Sequence, residues 1–104
     1  MAMCELAWTS MNTPAKIYKQ RIVSADKDGR IHPTQKPVQL YKWLLKNYAK
    51  PEFKIIDTHL GSGSSTIAAY DFGIAEFVGC EIDKEYFDAS VRRFQIHTMQ
   101  KTLF

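Results

Sequence analysis

Two carboxylates and a glycine-serine loop are the residues with chemistry to offer. The run reads Lys54-Ile-Ile-Asp57-Thr-His-Leu-Gly61-Ser-Gly63-Ser-Ser-Thr66, passes through an apolar stretch, and closes on Glu76-Phe-Val-Gly-Cys-Glu81. Small residues at Gly61, Ser62 and Gly63 let a ligand approach the main chain closely. A helix starting just after them offers its first amides, and the serine hydroxyls, Ser64 and Ser65 among them, add further donors. Glu81, at the end of a strand, stands where a carboxylate can accept both hydroxyls of a ribose. The combination suits a nucleotide-like ligand. The spacing from Gly61 to Glu81 is that of a dinucleotide fingerprint, so spacing alone does not separate NAD from other adenosine ligands. Two details weigh against NAD: Thr66 occupies the third glycine position, and Gly61 comes four residues after Asp57 instead of directly off the strand. A phosphate-binding P-loop needs a lysine, and none occurs between Lys54 and Lys84.

The elements that must position these groups are legible around them. Short apolar runs at Lys54 to Ile56 and Phe77 to Cys80 suit buried parallel strands. Between them, Ser64 to Phe72 carries Ile67, Ala68, Ala69 and Phe72, the narrow stripe of a helix packed on a sheet, and Gly73 is placed to end it. One βαβ unit with a right-handed crossover is expected. Upstream, Val38 to Ala49 repeats apolar residues at Val38, Tyr41, Leu44, Leu45 and Tyr48, with Lys42 and Lys46 outward. Pro37 suits that helix's first turn, with Thr34 or Gln35 as a cap. Downstream, Asp83 should cap a helix from Lys84 to about Thr98 whose buried side is Tyr86, Phe87, Val91 and Phe94, while Arg92 and Arg93 face solvent and His97 is exposed or caps the end. Cys4 to Ser10 and Lys16 to Val23 are candidate strands, with Trp8 in a core; Ser24 to Arg30 is a loop.

Asp57-Thr-His-Leu-Gly-Ser-Gly-Ser-Ser resembles the first motif of the S-adenosylmethionine-dependent DNA methyltransferases that modify exocyclic amino groups. Their usual pattern is Asp-Pro-Phe-x-Gly-Ser-Gly-Thr, from which this chain departs at Thr58, His59 and Ser64. His32-Pro-Thr-Gln-Lys-Pro37 is similar to the segment preceding the cofactor strand in that family, and Val78-Gly-Cys-Glu81-Ile-Asp83-Lys-Glu-Tyr86 to its ribose-binding strand end. The resemblance covers roughly residues 30 to 95. It implies an α/β, partial Rossmann-like methyltransferase fold and S-adenosylmethionine as cofactor. Its implied binding residues are Thr34 and Lys36 near the methionine carboxylate, Asp57 near the ammonium end, Leu60, Gly61, Ser62, Gly63, Ser64 and Ser65 around the middle, and Glu81 on the ribose. His59 would shape the pocket.

The same resemblance implies a catalytic Asp/Asn/Ser-Pro-Pro-aromatic tetrapeptide, which stacks on the flipped base and accepts hydrogen bonds from its amino group. The four prolines here, at 14, 33, 37 and 51, are isolated. No catalytic residue is therefore assigned. The expectation is the C-terminal part of an enzyme of the permuted class, in which the catalytic motif precedes the cofactor motif, with adenine favoured over cytosine as target. DNA would be bound through the complete enzyme, and an open sheet edge would support a homodimer or a separately encoded catalytic half. The alternative is a stand-alone S-adenosylmethionine or nucleotide-binding module without catalysis.

Composition bounds the rest. At 104 residues the chain is expected to form a single domain, with N-terminal strands and loop over 1–30 and the cofactor unit over 31–104. An apolar fraction of 45% and a charged fraction of 24% are ordinary for a globular protein. No run approaches a membrane span, and no signal-peptide pattern opens the chain, so a reducing cytoplasm is expected. Cys4 and Cys80 lack metal-ligand spacing, and Cys80 is expected as a buried thiol. Residues 1–54 hold ten Lys/Arg against four Asp/Glu, while residues 55–104 hold four against seven, so the basic half precedes the cofactor unit.

Overall fold

The computed structural model describes residues 7–19 and 35–102. Its elements run α1 (Val38–Tyr48), β1 (Lys54–Asp57), α2 (Ser64–Phe72), β2 (Glu76–Gly79) and α3 (Lys84–Thr102). β1 and β2 pair in parallel, with Lys54 opposite Glu76 and Asp57 opposite Gly79. A parallel pair needs a crossover, and α2 supplies it. The ladder continues past the strand ends, because Cys80 N donates to Asp57 O at 2.8 Å and Leu60 N to Cys80 O at 2.8 Å. Those bonds tie the glycine loop to the tip of β2.

Helix boundaries follow local chemistry. Gly73, at φ 87°, ends α2 in the left-handed conformation, and its amide returns to Ala69 O at 3.0 Å. Asp83 Oδ1 accepts the Tyr86 amide at 3.0 Å, the bond of an N-cap, and α3 then runs a turn beyond the expected end. Pro37 sits immediately before α1 and provides no side-chain cap. The α1 stripe packs inward: Val38 clusters with Ile67 and Ala68 of α2, and Tyr41 and Leu45 of α1 and Phe94 of α3 pack against that cluster.

Side chains alternate across the strands. Ile55 and Phe77 are half-buried, whereas Ile56 and Val78 are 65% and 48% exposed. The strands were expected to be buried on both faces, but among the described residues one face of this two-stranded sheet has no cover. Cys80 is exposed for the same reason, against the expectation of a buried thiol. Residues 7–10 form no strand, and Trp8 lies exposed, against the expectation of a strand with Trp8 in a core. Lys16 to Lys19 are also irregular. They run along α1, where Lys16 Nζ donates to Asn47 Oδ1 at 3.3 Å and Tyr18 meets Trp43 with ring centroids 5.5 Å apart. The remaining parts of both candidate strands, and the 24–30 loop, lie outside the described residues. Among the described residues no helix is long and apolar enough to cross a membrane.

Candidate functional site

The glycine loop turns twice through left-handed backbone, at Gly61 (φ 59°) and Gly63 (φ 84°), and α2 starts at once. This places the first-turn amides of α2, which have no intrahelical acceptor, at the mouth of the loop. Gly63 is required there for a second reason. A Cβ at this position would lie 3.0 Å from the Ser90 Cβ on α3, so α3 presses directly on the loop.

Glu81 is fixed by the chain's own amides. Its Oε1 accepts Gly61 N at 2.8 Å and its Oε2 accepts Asp83 N at 2.9 Å. An ionised carboxylate has about four lone-pair sites, so a carboxylate held in this way can accept more than one donor per oxygen, ligand hydroxyls included. Asp57 is oriented differently. Its Oδ1 accepts His59 N at 3.0 Å, and its Oδ2 accepts the Ser65 hydroxyl from the first turn of α2. It therefore binds the loop to the helix start, much as a cap would.

A cleft of about 370 Å³ opens between α1 and the loop, within the usual range for small-molecule sites. Lys36, Leu60, Gly61, Ser62, Ser64 and Glu81 of the expected binding set line it. Asp57 and Ser65 line instead a neighbouring cavity of about 340 Å³ between α1 and β1. Gly63 lies beneath the loop against Ser90, and Thr34 is outside the described residues.

Three further residues complete the cleft wall. His59, expected to shape the pocket, lies in it, with its Nδ1 2.9 Å from the Thr58 hydroxyl. Gln35 and Tyr41 line it as well, although the sequence suggests a cap for the first and a core residue for the second. Tyr41 borders both cavities. Burial, and secondarily the negative charge of Asp57, raise its phenol above the ordinary value.

α3 contributes polar residues where an apolar stripe was expected. Phe87 and Val91 are exposed, and the inward side is formed by Tyr86, Ser90, Arg93, Phe94 and His97. Arg93, expected in solvent, places its Nη1 at 2.9 Å from Ser64 Oγ, 3.2 Å from Ser62 Oγ and 3.3 Å from Ser62 O. His97, expected to be exposed or to cap the helix end, instead donates from Nε2 to Asp71 Oδ1 at 2.8 Å, while Lys42 reaches Asp71 Oδ2 at 2.9 Å as an ion pair. This cluster joins α1, α2 and α3. Lys42 is thus drawn in, not outward.

Comparison with known proteins gives concordant results. A sequence profile of a family described as DNA methylase matches residues 4–92. YubD, a candidate methylase of Escherichia coli (strain K12), is 34% identical over 65 residues, covering 62% of this chain and 28% of YubD. The type II methyltransferase M.HindIII of Haemophilus influenzae is 34% identical over 82 residues, covering 79% of this chain and 26% of that enzyme. The chain thus spans about a quarter of the length of these relatives. The crystal structure of the M1.HpyAVI–SAM complex superposes with a TM-score of 0.59 at 28% identity, covering 72% of this chain and 35% of that one.

Proposed function

This chain belongs to the DNA methylase family, and from that premise we propose that it is the S-adenosylmethionine-binding portion of an enzyme that methylates an exocyclic amino group in DNA, adenine before cytosine. The observation that carries this reading is the cleft in which the glycine loop and a pre-oriented Glu81 meet. The donor set fits such a cofactor. Glu81 would take the ribose hydroxyls, the loop from Leu60 to Ser64 would line its middle, and Lys36, with Thr34, would serve the methionine carboxylate. Asp57 and Ser65 would act by holding the loop on α2. When bound, the cofactor supplies an electrophilic methyl group; this chain's residues bind and orient it.

The absence of any Pro-Pro pair supports the view that base recognition and catalysis need residues from elsewhere, either a separately encoded half or a further segment of a longer chain. The cavity along β1, beside Asp57 and Tyr41, and the uncovered Ile56 and Val78 suit such an addition. A homodimer through the same side is the other arrangement. Light scattering with hydrogen exchange tests both: a monomer whose β1 amides are all protected would refute them.

The experiment for the cofactor is calorimetric titration with S-adenosylhomocysteine, with NAD as control and Glu81→Ala alongside. Binding of the first and not the second, weakened in the variant, is expected. A folded chain that binds NAD equally well, or neither ligand, would overturn the proposal.

A further inference from the structure

We infer that Arg93 is a positioning residue for the cofactor loop, holding it from behind in the conformation that presents its amides to the ligand. The inference rests on the function proposed above for its ligand, while the loop contact itself stands on geometry. One guanidinium nitrogen is shared among the Ser62 carbonyl, the Ser62 hydroxyl and the Ser64 hydroxyl, at 2.9 to 3.3 Å. Ser62 and Ser64 are 4% and 3% exposed, so these bonds are shielded from water. Hydrogen bonds to charged donors are the strong ones, and shielding strengthens them further.

The location argues for positioning over general stability. A cation beside the N-terminus of α2 opposes the helix dipole, whose positive end lies there. A side chain placed only to stabilise the fold would do better at a helix C-terminus. What Arg93 gains in this place is control of the two serines that flank Gly63. Ser90, one turn earlier on the same face of α3, meets Gly63 itself. Ser90 limits the loop sterically and Arg93 ties it electrostatically, so α3 sets the loop geometry although, among the described residues, none of α3 lines the cleft.

The test compares Arg93→Met, Arg93→Lys and Arg92→Met, the last removing the same charge from an exposed neighbour. Two readouts are taken: amide exchange of residues 61–64 relative to α1 and β1, and affinity for S-adenosylhomocysteine. Arg93→Met should accelerate exchange in the loop selectively and weaken binding about tenfold, the effect of losing a charge-assisted hydrogen bond. Arg93→Lys should recover part of this, and Arg92→Met should leave both readouts unchanged. Unchanged loop exchange in Arg93→Met would overturn the inference. So would acceleration spread equally over α1 and β1, since that would indicate a purely structural role. If Arg93→Met does not fold, the Lys variant decides by the same loop-selective criterion. If the wild-type chain binds no S-adenosylhomocysteine, the function proposed above fails while the exchange data still decide the role of Arg93.

Discussion

Replacing Gly63 by alanine tests whether the contact between the loop and α3 fixes the site. The cost has two parts. Gly63 has φ 84°, and an L-residue held in the left-handed region loses about 1–2 kcal/mol. The new Cβ would then lie 3.0 Å from the Cβ of Ser90, tighter than an ordinary contact, and that atom is carried directly on the α3 backbone. Overpacking of this kind adds about 1–3 kcal/mol. A total of roughly 2–5 kcal/mol is expected, a large share of the stability of a small domain. Urea unfolding would measure it as a fall in midpoint at constant m-value. The contact is isolated by adding Ser90→Gly, which removes the opposing Cβ. Alone, Ser90→Gly should cost about 1 kcal/mol for a glycine inside a helix. Together the two should cost less than their sum by about 1 kcal/mol or more, because the steric part of the first loss disappears. Strict additivity would refute the argument that α3 limits the loop at this point, and would leave only the backbone term to explain the glycine.

Asp71→Ala should destabilise the chain by about 2–3 kcal/mol in the same assay, below the ~3–5 kcal/mol of a fully buried broken pair because Lys42 can return to water. A loss under about 0.5 kcal/mol would mean the cluster with His97 and Lys42 does not join the helices energetically. Tyr41 makes a prediction at alkaline pH. Its phenol is harder to ionise in the folded chain, so its contribution is complete below the unfolded value of about 10 and is lost as pH rises through the raised folded value. Stability should therefore decline more steeply above pH ~10 in the wild type than in Tyr41→Phe, and identical slopes would contradict the burial of this ring.

The sequence by itself determined the βαβ unit at the centre of the site. Lys54–Asp57, Ser64–Phe72 and the Gly73 stop were legible because local signals coincide there: continuous apolar runs, a narrow helical stripe, and glycines with a conformational reason. The Asp83 cap and the α1 stripe were legible on the same grounds. The family was legible too, since motif residues are fixed by what they must hold and not by what surrounds them. What the tertiary structure decided was where long polar side chains go. Arg92 and Arg93 are neighbours in sequence and of one type, yet only Arg93 turns to the loop, because successive helical residues point about 100° apart and Arg93 shares the face on which Ser90 meets Gly63. Lys42 was expected outward and His97 exposed or capping the helix end, and Asp71, on a different helix, draws both inward. Exposure of Cys80 and Trp8 was likewise undetermined by the sequence. Burial depends on partners distant in the chain, and apolarity at a position states only what a partner would gain by covering it.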